Sequence, residues 1–362
     1  MKKILFVMET LGGGGAERVL VNLVNGMDRT KFDITVMTVF QGGVNAVDLK
    51  KGIRYVQLNS KKFKGMKTIL KFLPKRLLYK FYLKKYVDNN EYDLIVAYMT
   101  GVPTFIVAGA PLPKIAWVHG EFFKNFNSFG LRHIYNKYDK IVGVSEHVCQ
   151  TVTDCIKPKS QPIFVWNTND TNRIHALAAQ GTTAKEKALS LVTVGCLEQT
   201  KGFDRLIRVC KRLKDDEFDF DINIVGEGIE RSNLEKMIGD NALTDTVHLV
   251  GYQKNPYPYV ANADLFVCSS RTEGLSTAVT EAIILGTPVV SVDVSGAKEI
   301  LGKNNEFGIV TENNEDALCE GIKQMLSDTE LRQHYTAAAE ERSMFFDTAA
   351  TVKQAEDLFE TL

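Results

Sequence analysis

Residues 265–291 read L-F-V-C-S-S-R-T-E-G-L-S-T-A-V-T-E-A-I-I-L-G-T-P-V-V-S. The apolar run at 265–268 is typical of a buried strand, and A-V-T-E-A-I-I-L has its apolar residues at helical spacing. The Gly-Thr-Pro at 286–288 ends that helix, and the two valines after it open another strand. This stretch therefore predicts a strand, a loop, a helix and a second strand.

Two carboxylates flank the start of the predicted helix: Glu273 in the loop and Glu281 eight residues later. The amides between them approach a helix N-terminus, where unpaired N–H groups and the helix dipole favour an anion such as phosphate. Because a carboxylate repels phosphate, we expect Glu273 to bind a sugar and Glu281 a ribose diol. The alternative is that both are solvated surface residues. The amides belong to Gly274, Leu275, Ser276 and Thr277.

The motif E-G-L-S-T-A-V-T-E resembles the E-x7-E signature of glycosyltransferase family 4. The resemblance covers nearly the whole chain, because further motifs follow in the family's order and spacing. It implies an α/β protein with two Rossmann-like domains facing a cleft, the GT-B architecture, in which the second domain holds most of the donor. It also implies a retaining, metal-independent transfer from a nucleotide diphosphate sugar.

Composition agrees with a globular enzyme. A chain of 362 residues suggests two domains, and 44% hydrophobic residues can supply two cores. No run of roughly 18 apolar residues is present to span a bilayer, and the N-terminus reads as a first strand rather than a signal peptide. The six cysteines lack C-x-x-C spacing, so we expect reduced thiols in a cytoplasmic protein.

Charge is divided unevenly along the chain. Residues 1–170 carry 25 Lys and Arg against 13 Asp and Glu, and the remainder carries 19 against 31. Residues 61–85 alone contain ten Lys or Arg and no acid, interleaved with apolar side chains. A basic first half suggests that this half faces something anionic.

The basic segment 61–85 has the spacing of an amphipathic surface helix. Each cation near anionic lipid is worth about 1 kcal/mol, so we expect a peripheral position at the inner face of the cell membrane. We expect no nucleic-acid partner, because no reading helix, metal finger or aromatic sheet motif is present. A core-packed helix with a lysine-rich outer face is the alternative. The residues predicted to contact membrane or acceptor are Lys71, Lys75, Arg76 and Lys80.

A glycine run, 12–15, follows the first predicted strand and opens a helix. Glycines let backbone approach a ligand closely, and the helix N-terminus favours phosphate. A dinucleotide fingerprint would need glycine where Glu17 stands and an acid where Phe40 ends the second strand, which argues against nicotinamide binding. The family resemblance assigns Gly14 and Gly15 to the donor diphosphate and sugar. A tight turn without a ligand is the alternative.

The motif W-V-H-G-E-F places His119 at the carboxyl end of a strand, where ligands of open α/β sheets collect. A lone histidine is more often structural, but this one matches the family's donor-sugar histidine. F-V-W-N-T-N-D resembles the end of the family's first domain. We therefore predict domains at 1–170 and 191–345, a connector at 171–190 and a terminal helix at 346–362 that crosses back to the first domain.

The loop G-C-L-E-Q-T-K-G departs from the family pattern. The family has an arginine and, five residues later, a lysine that neutralise the leaving diphosphate. Lys201 is in place, but Cys196 stands at the arginine position. A charge-assisted hydrogen bond contributes about 1.5–3 kcal/mol, so transfer would be slow unless another cation, such as Arg271, substitutes. The pair Asp219 and Asp221 has the spacing of a metal-binding motif. It stands at the start of a predicted strand, so we do not expect it to bind a metal.

These observations predict a glycosyltransferase that moves a hexosyl or N-acetylhexosaminyl group, with UDP as the expected nucleotide. The expected acceptor is a polyprenyl-diphosphate-linked sugar in polysaccharide or glycan assembly, and no cofactor or metal is expected. The alternatives are a nucleotide-sugar epimerase and a non-catalytic partner subunit, the latter suggested by Cys196. The predicted catalytic residues are His119, Lys201 and Glu273. The predicted donor-binding residues are Gly14, Gly15, Gly195, Lys201, Gly226, Tyr252, Glu273, Gly274, Leu275, Ser276, Thr277 and Glu281.

Overall fold

The computed structural model describes residues 1–60, 77, 83–87, 91–120, 128–181 and 188–362. The residues predicted to contact membrane or acceptor, Lys71, Lys75, Arg76 and Lys80, lie outside the described residues, so their role stays a prediction. The chain folds into two compact units. Unit 1 contains residues 1–169 and 348–362, and unit 2 contains residues 170–347.

The described part of unit 1 is built on seven parallel strands in the order β3-β2-β1-β4-β5-β6-β7. The inner strands are continuous apolar runs, as expected when helices cover a parallel sheet. Strand order reverses between β1 and β4, which is the topological switch point where such sheets bind ligands. The strands are β1 (Lys2–Met8), β2 (Phe32–Phe40), β3 (Arg54–Ser60), β4 (Leu94–Ala97), β5 (Lys114–Val118), β6 (Lys140–Gly143) and β7 (Ile163–Phe164).

The last helix, Thr348–Glu360, belongs to unit 1 although it lies at the end of the chain. Its Phe359 is fully buried, with ring centroids 5.7 Å from Phe6 and 6.2 Å from Trp117. This helix therefore completes the first core. The other described helices of unit 1 are Gly15–Gly26, Lys84–Val87, Val102–Val107, Ser128–Tyr135 and Glu146–Ile156, with a 3-10 turn at Val44–Asp48.

The described part of unit 2 is built on six parallel strands in the order β10-β9-β8-β11-β12-β13. The stretch 265–291 forms a strand, a loop, the helix Thr277–Ile284 and another strand, so that prediction is confirmed. Strand order reverses between β8 and β11. The strands are β8 (Ser190–Val194), β9 (Asp221–Val225), β10 (Val247–Gly251), β11 (Leu265–Cys268), β12 (Val289–Val292) and β13 (Ile309–Thr311).

Helices connect the strands of unit 2. Phe203–Asp215 is strongly amphipathic: its buried face carries apolar residues such as Leu206 and Leu213, which anchor it to the sheet. Within the predicted connector, residues Thr171–Ala178 form a helix because Asp170 caps it, accepting a hydrogen bond from the amide of Arg173. The others are Arg231–Asp240, Tyr257–Ala261, Ala297–Leu301, Glu315–Ser327 and Thr329–Ser343, with 3-10 turns at Gln199–Lys201 and Met344–Phe346.

Two parallel sheets with alternating helices confirm the predicted fold class of two Rossmann-like α/β domains. In each sheet the carboxyl ends of the strands at the switch point carry predicted site residues. Among the described residues, no helix is both long enough and apolar enough to cross a membrane.

Candidate active site

Two predicted residues meet at the switch point of unit 2. Lys201 lies in the loop after β8, Glu273 lies in the loop after β11, and these strands are neighbours. The Nζ atom of Lys201 is 2.7 Å from Oε1 of Glu273, and the two side chains are 29% and 12% exposed. The hydroxyl of Ser270 donates to the same Oε1 at 2.6 Å. The fold thus brings two residues 72 positions apart into one half-buried cluster.

The charge of Lys201 is stabilised by this contact. Burial alone would lower the pKa of the ammonium, but the attraction and hydrogen bond of Glu273 outweigh it and raise the pKa above its ordinary value. Lys201 is therefore a cation throughout the physiological range, at the edge of the sheet where a diphosphate is predicted.

Glycines allow the loop that carries Lys201 to lie close to its neighbours. Gly226 has φ +153°, and a Cβ atom there would overlap the carbonyl oxygen of Gly195. The backbone amide of Gly195 donates to the carbonyl of Val225 at 3.0 Å, and the backbone amide of Leu197 donates to the carbonyl of Glu227 at 2.9 Å. Gly226 therefore has a packing role in shaping the loop, because a side chain there would overlap the carbonyl of Gly195.

The helix Thr277–Ile284 begins beside this cluster. Ser276 is its N-cap and accepts a hydrogen bond from the amide of Val279 at 3.4 Å. Leu275 is buried, and the carbonyl of Gly274 accepts from the hydroxyl of Ser295 at 2.8 Å. These contacts hold the turn that leads into the helix, so its first amides have a fixed direction.

Glu281 is positioned by a residue that the sequence did not indicate. The hydroxyl of Tyr257 donates to Oε1 of Glu281 at 3.1 Å, and Tyr257 is only 8% exposed. Tyr257 lies 24 residues upstream in a short separate helix, so no local spacing links the two. Tyr252, one of the predicted donor-binding residues, lies after β10 and is 58% exposed.

Arg271, suggested as a substitute for the missing arginine, is paired with a carboxylate. Its guanidinium forms two 2.7 Å contacts with the carboxylate of Asp204 and also donates to the carbonyl of Gln199. The hydrogen bond from Arg271 is the main reason that the pKa of Asp204 falls to about 2. Cys196 is exposed. The charge of Arg271 is therefore paired with Asp204, and its role as a substitute for the cation missing at Cys196 stays a prediction.

The glycine run of unit 1 lies at the end of β1. A side chain at Gly14 would collide with the carboxylate of Glu17, which folds back over the start of the helix. Burial, with a smaller contribution from the charge of Glu9, raises the pKa of Glu17. The side-chain amide of Asn45 donates to the carbonyl of Gly12. The sequence gives no sign of this support, because Asn45 follows the next strand.

A charged pair fastens the same turn. Arg18 contacts Asp48 at 2.6 Å and donates to the side-chain oxygen of Asn45. The 3-10 turn Val44–Asp48 is thereby attached to the helix that starts at Gly15. The glycine run is held from two sides, which favours a fixed backbone rather than a loose turn.

His119 follows β5, as predicted. Its ring lies 4.9 Å from that of Tyr98, and its Nε2 atom is buried without a partner among the described residues. Burial lowers the pKa of His119 to about 3, although a hydrogen bond with the backbone of Tyr98 partly opposes this. The imidazole is therefore neutral at physiological pH.

The described part of the chain contains no cluster of side chains suited to hold a metal ion. No group of three or more His, Cys, Asp or Glu side chains there converges to hold a metal ion. Asp221, from the D-x-D pair, begins β9 at the amino end of the strand, opposite the switch-point edge, and is 2% exposed.

Comparison with known proteins gives a family match for each unit of the chain. Residues 13–169 match the description "Glycosyltransferase Family 4", and residues 177–342 match "Glycosyl transferases group 1". Each match covers most of one of the two α/β units.

Similar full-length proteins carry related descriptions. A Campylobacter jejuni protein, N-acetylgalactosamine-N,N'-diacetylbacillosaminyl-diphospho-undecaprenol 4-alpha-N-acetylgalactosaminyltransferase, is 29% identical over 98% of each chain. An uncharacterized glycosyltransferase of Haemophilus influenzae is 25% identical over 91% of this chain and 92% of its own. The crystal structure of Anabaena HepE with UDP and glucose has a TM-score of 0.79 over the whole of both chains at 20% identity, which shows the shared fold.

Proposed function

Because this chain belongs to the glycosyl transferases group 1, with a glycosyltransferase family 4 domain ahead of that region, we propose that it transfers one sugar from a nucleotide diphosphate sugar to a lipid-linked glycan. It is a glycosyltransferase of polysaccharide or glycan assembly. The proposed donor is a UDP-linked N-acetylhexosamine or hexose. The observation that carries the proposal is the Lys201–Glu273 pair at the switch point of the second sheet.

The acceptor proposal rests on the Campylobacter relative, which aligns with this chain almost from end to end. Its name specifies an N-acetylgalactosamine placed in an alpha linkage on a saccharide carried by diphospho-undecaprenol. We extend to this chain the class of acceptor, a sugar on a polyprenyl diphosphate. An alpha product from an alpha-linked nucleotide sugar corresponds to retention, which supports the proposed stereochemistry.

In the proposed reaction, the acceptor hydroxyl attacks the donor's anomeric carbon from the face that the diphosphate leaves. The bond from that carbon to the phosphate oxygen breaks, a bond to the acceptor oxygen forms, and the hydroxyl proton passes to the leaving phosphate. Catalysis then depends on positioning and on stabilising the charge that develops on the diphosphate. A charged Lys201 is suited to that second task.

The other roles follow from residue chemistry. Glu273, held by Ser270, accepts hydrogen bonds from sugar hydroxyls, and Glu281, held by Tyr257, accepts them from the ribose. The neutral ring of His119 contacts the sugar. The remaining proposed donor contacts are Gly14, Gly15, Gly195, Gly226, Tyr252 and the amides of Gly274, Leu275, Ser276 and Thr277.

The test is release of nucleotide diphosphate from a panel of UDP-GlcNAc, UDP-GalNAc, UDP-glucose, UDP-galactose and GDP-mannose. Each donor is incubated with and without an undecaprenyl-diphosphate-linked saccharide, and with and without EDTA. We expect acceptor-dependent release from one UDP-sugar that EDTA leaves unchanged. Proton NMR of the product then gives the anomeric configuration, which is expected to match that of the donor.

Matched variants connect that activity to the site. Glu281→Gln should raise KM for the donor at least tenfold, whereas Glu235→Gln, which alters an exposed helical carboxylate of the same unit, should change nothing. Isomerised sugar formed without acceptor would replace the transferase proposal with an epimerase. Nucleotide binding without turnover of any donor would replace it with a non-catalytic partner subunit.

The proposed place of action is the cytoplasmic membrane face, where a polyprenyl-linked acceptor is held. Sedimentation with vesicles of phosphatidylglycerol and phosphatidylcholine tests it, with Lys71, Lys75, Arg76 and Lys80 replaced together by Gln in the variant. We expect the wild type to sediment at low salt and the variant to remain in solution. Equal sedimentation of the two proteins would remove these residues from the membrane contact.

A further inference from the structure

The buried guanidinium of Arg205 is a feature of unit 2 to which the proposed reaction assigns no role. Arg205 lies in the first turn of the helix Phe203–Asp215 and is 6% exposed. Its Nε donates to the carbonyl of Ser269 at 2.7 Å and its Nη2 to that of Ser270 at 2.6 Å. Its Nη1 donates to the side-chain oxygen of Asn313 at 2.8 Å.

These contacts fasten the loop that carries Glu273. Ser270 receives the Arg205 hydrogen bond on its carbonyl and donates its own hydroxyl to Oε1 of Glu273. Glu273 in turn holds Lys201 at 2.7 Å. A continuous chain of hydrogen bonds therefore runs from Arg205 to both charged members of the site, although Arg205 touches neither of them.

Asn313 extends the attachment to two further loops. Its amide nitrogen lies 3.4 Å from the carbonyl of Arg271 and 3.3 Å from that of Asp293. Segments that follow β11, β12 and β13 thus share one anchor. A planar guanidinium with several fixed donors suits this task, whereas an ammonium on a flexible stem does not reach all three acceptors in one arrangement.

All three hydrogen-bond acceptors of Arg205 are neutral oxygens. Its neighbour Arg271 is instead paired with Asp204, and Arg208 is shared between Asp204 and Glu315. An arginine whose role was only to form an ion pair would contact a carboxylate, and the carboxylates of Asp204 and Glu315 already pair with the neighbouring arginines. The observed acceptors indicate that geometry, the path of the loop backbone, is what Arg205 controls.

We infer that Arg205 is a positioning residue, which sets the backbone of residues 269–273 and thereby the placement of Glu273 against Lys201. The inference rests on the proposed function for its effect on turnover, because Lys201 and Glu273 act on the donor only if that function is correct. Its structural part, control of the loop, stands independently of the reaction.

The experiment compares Arg205→Lys with Arg212→Lys, which changes an exposed arginine of the same helix paired with Asp316. Hydrogen exchange of residues 269–276 is measured by mass spectrometry without ligand. We expect at least tenfold faster exchange in Arg205→Lys and the wild-type rate in Arg212→Lys. Unfolding curves identify the temperature at which both variants remain folded, and all measurements are made below it.

Kinetics with the donor that wild type turns over completes the test. We expect kcat of Arg205→Lys to fall at least tenfold with a smaller change in KM, because Glu273 and Lys201 act most in the transition state. A folded Arg205→Lys protein with wild-type exchange and wild-type kcat would overturn the inference. If wild type turns over no nucleotide sugar, the proposed function fails, and the exchange comparison still decides whether Arg205 positions the loop.

Discussion

At the residue scale, the contact between Lys201 and Glu273 is the central feature of the site. Opposite charges this close attract strongly, but partial burial offsets much of that gain, so the pair contributes little net stability. Its value lies in preorganisation: each charge holds the other at the edge of the sheet before a ligand arrives. Removing one partner would leave the other half-buried and uncompensated.

Cys196 offers a gain-of-function prediction. Cys196→Arg would add a cation to the loop that carries Lys201, and one charge-assisted hydrogen bond to the leaving diphosphate contributes about 1.5–3 kcal/mol. We expect kcat to rise roughly tenfold or more, since about 1.4 kcal/mol corresponds to a factor of ten. Initial rates of UDP release measure it. Cys196→Ser is the control and should match wild type; an arginine variant that is no faster would show that this position does not face the diphosphate.

The lowered pKa of His119 should make the free energy of unfolding depend on pH. Its pKa is about 3 in the folded protein and near 6.5 when unfolded, so the unfolded state binds more protons between these values. Stability should therefore fall as pH decreases below about 6.5, with a slope from this group of at most about 1.4 kcal/mol per pH unit. Urea denaturation of wild type and His119→Gln between pH 6.5 and 4.5 measures the difference.

The variant should lose less stability than wild type as the pH falls through that window. His334→Gln, which removes an exposed histidine of unit 2, should retain the full wild-type dependence. Parallel curves for wild type and His119→Gln would mean that the imidazole is protonated normally in the folded protein.

At the element scale, the loops after β8 and β11 define the site more than any single side chain does. The backbone amide of Arg271 donates to the carbonyl of Thr200 at 2.7 Å, and the hydroxyl of Ser269 donates to that of Lys201 at 3.0 Å. The two loops therefore behave as one layer at the carboxyl edge of the sheet. Gly202, with φ +67°, lets the carbonyl of Ser269 come close to this layer.

Gly226 tests the close packing of these loops. In Gly226→Ala the new methyl group would overlap the carbonyl of Gly195 in a backbone conformation that alanine disfavours. We expect the free energy of unfolding to fall by about 2 kcal/mol or more, and affinity for UDP to fall with it. Urea denaturation and calorimetric titration with UDP measure the two effects.

Gly239→Ala is the matched control for that experiment. Gly239 lies in the helix Arg231–Asp240 with open space around its Cα, so alanine there should stabilise the protein by about 0.5–1 kcal/mol. UDP affinity should remain that of wild type. If Gly226→Ala were as stable as wild type, the two loops would not be packed as described.

At the scale of the whole molecule, each unit has its own sheet and core, and the chain enters unit 1 twice. The hydroxyl of Thr348 donates to the carbonyl of Asn169 at 2.6 Å, so the end of the first pass and the start of the second are adjacent. The ammonium of Lys2 donates to the carbonyl of Phe359 at 2.9 Å. Both ends of the chain therefore belong to the same core.

Phe359→Ala should destabilise unit 1 selectively. The side chain is fully buried against Phe6 and Trp117, and removing a buried phenylalanine costs about 3–5 kcal/mol. Both tryptophans, Trp117 and Trp166, belong to unit 1, so tryptophan fluorescence during urea denaturation reports this unit. We expect its midpoint to move to lower urea.

Phe220→Ala, at a fully buried position of unit 2, is the matched control. This variant should lower the urea midpoint of the unfolding transition measured by circular dichroism. The midpoint measured by tryptophan fluorescence should move less. A tryptophan transition unaffected by Phe359→Ala would show that the last helix does not contribute to the core of unit 1.

Local sequence patterns, together with the family resemblance that they carry, determined the fold class and the candidate residues. Hydrophobic spacing over 265–291 was sufficient to predict the strand, loop and helix, because a stretch of a few residues already distinguishes the apolar pattern of a strand from that of a helix. Lys201 was identified through the family resemblance, and Glu273 and Glu281 through their positions around the predicted helix start together with that resemblance. Their roles on the donor remain predictions.

Which of these residues meet, and what supports them, depends on contacts between distant parts of the chain. Strand order places the loops of β8 and β11 side by side, which joins Lys201 to Glu273 across 72 positions. Tertiary packing also pairs Glu281 with Tyr257 and Arg271 with Asp204. Such pairings depend on chain crossings between distant segments, and no local spacing records them.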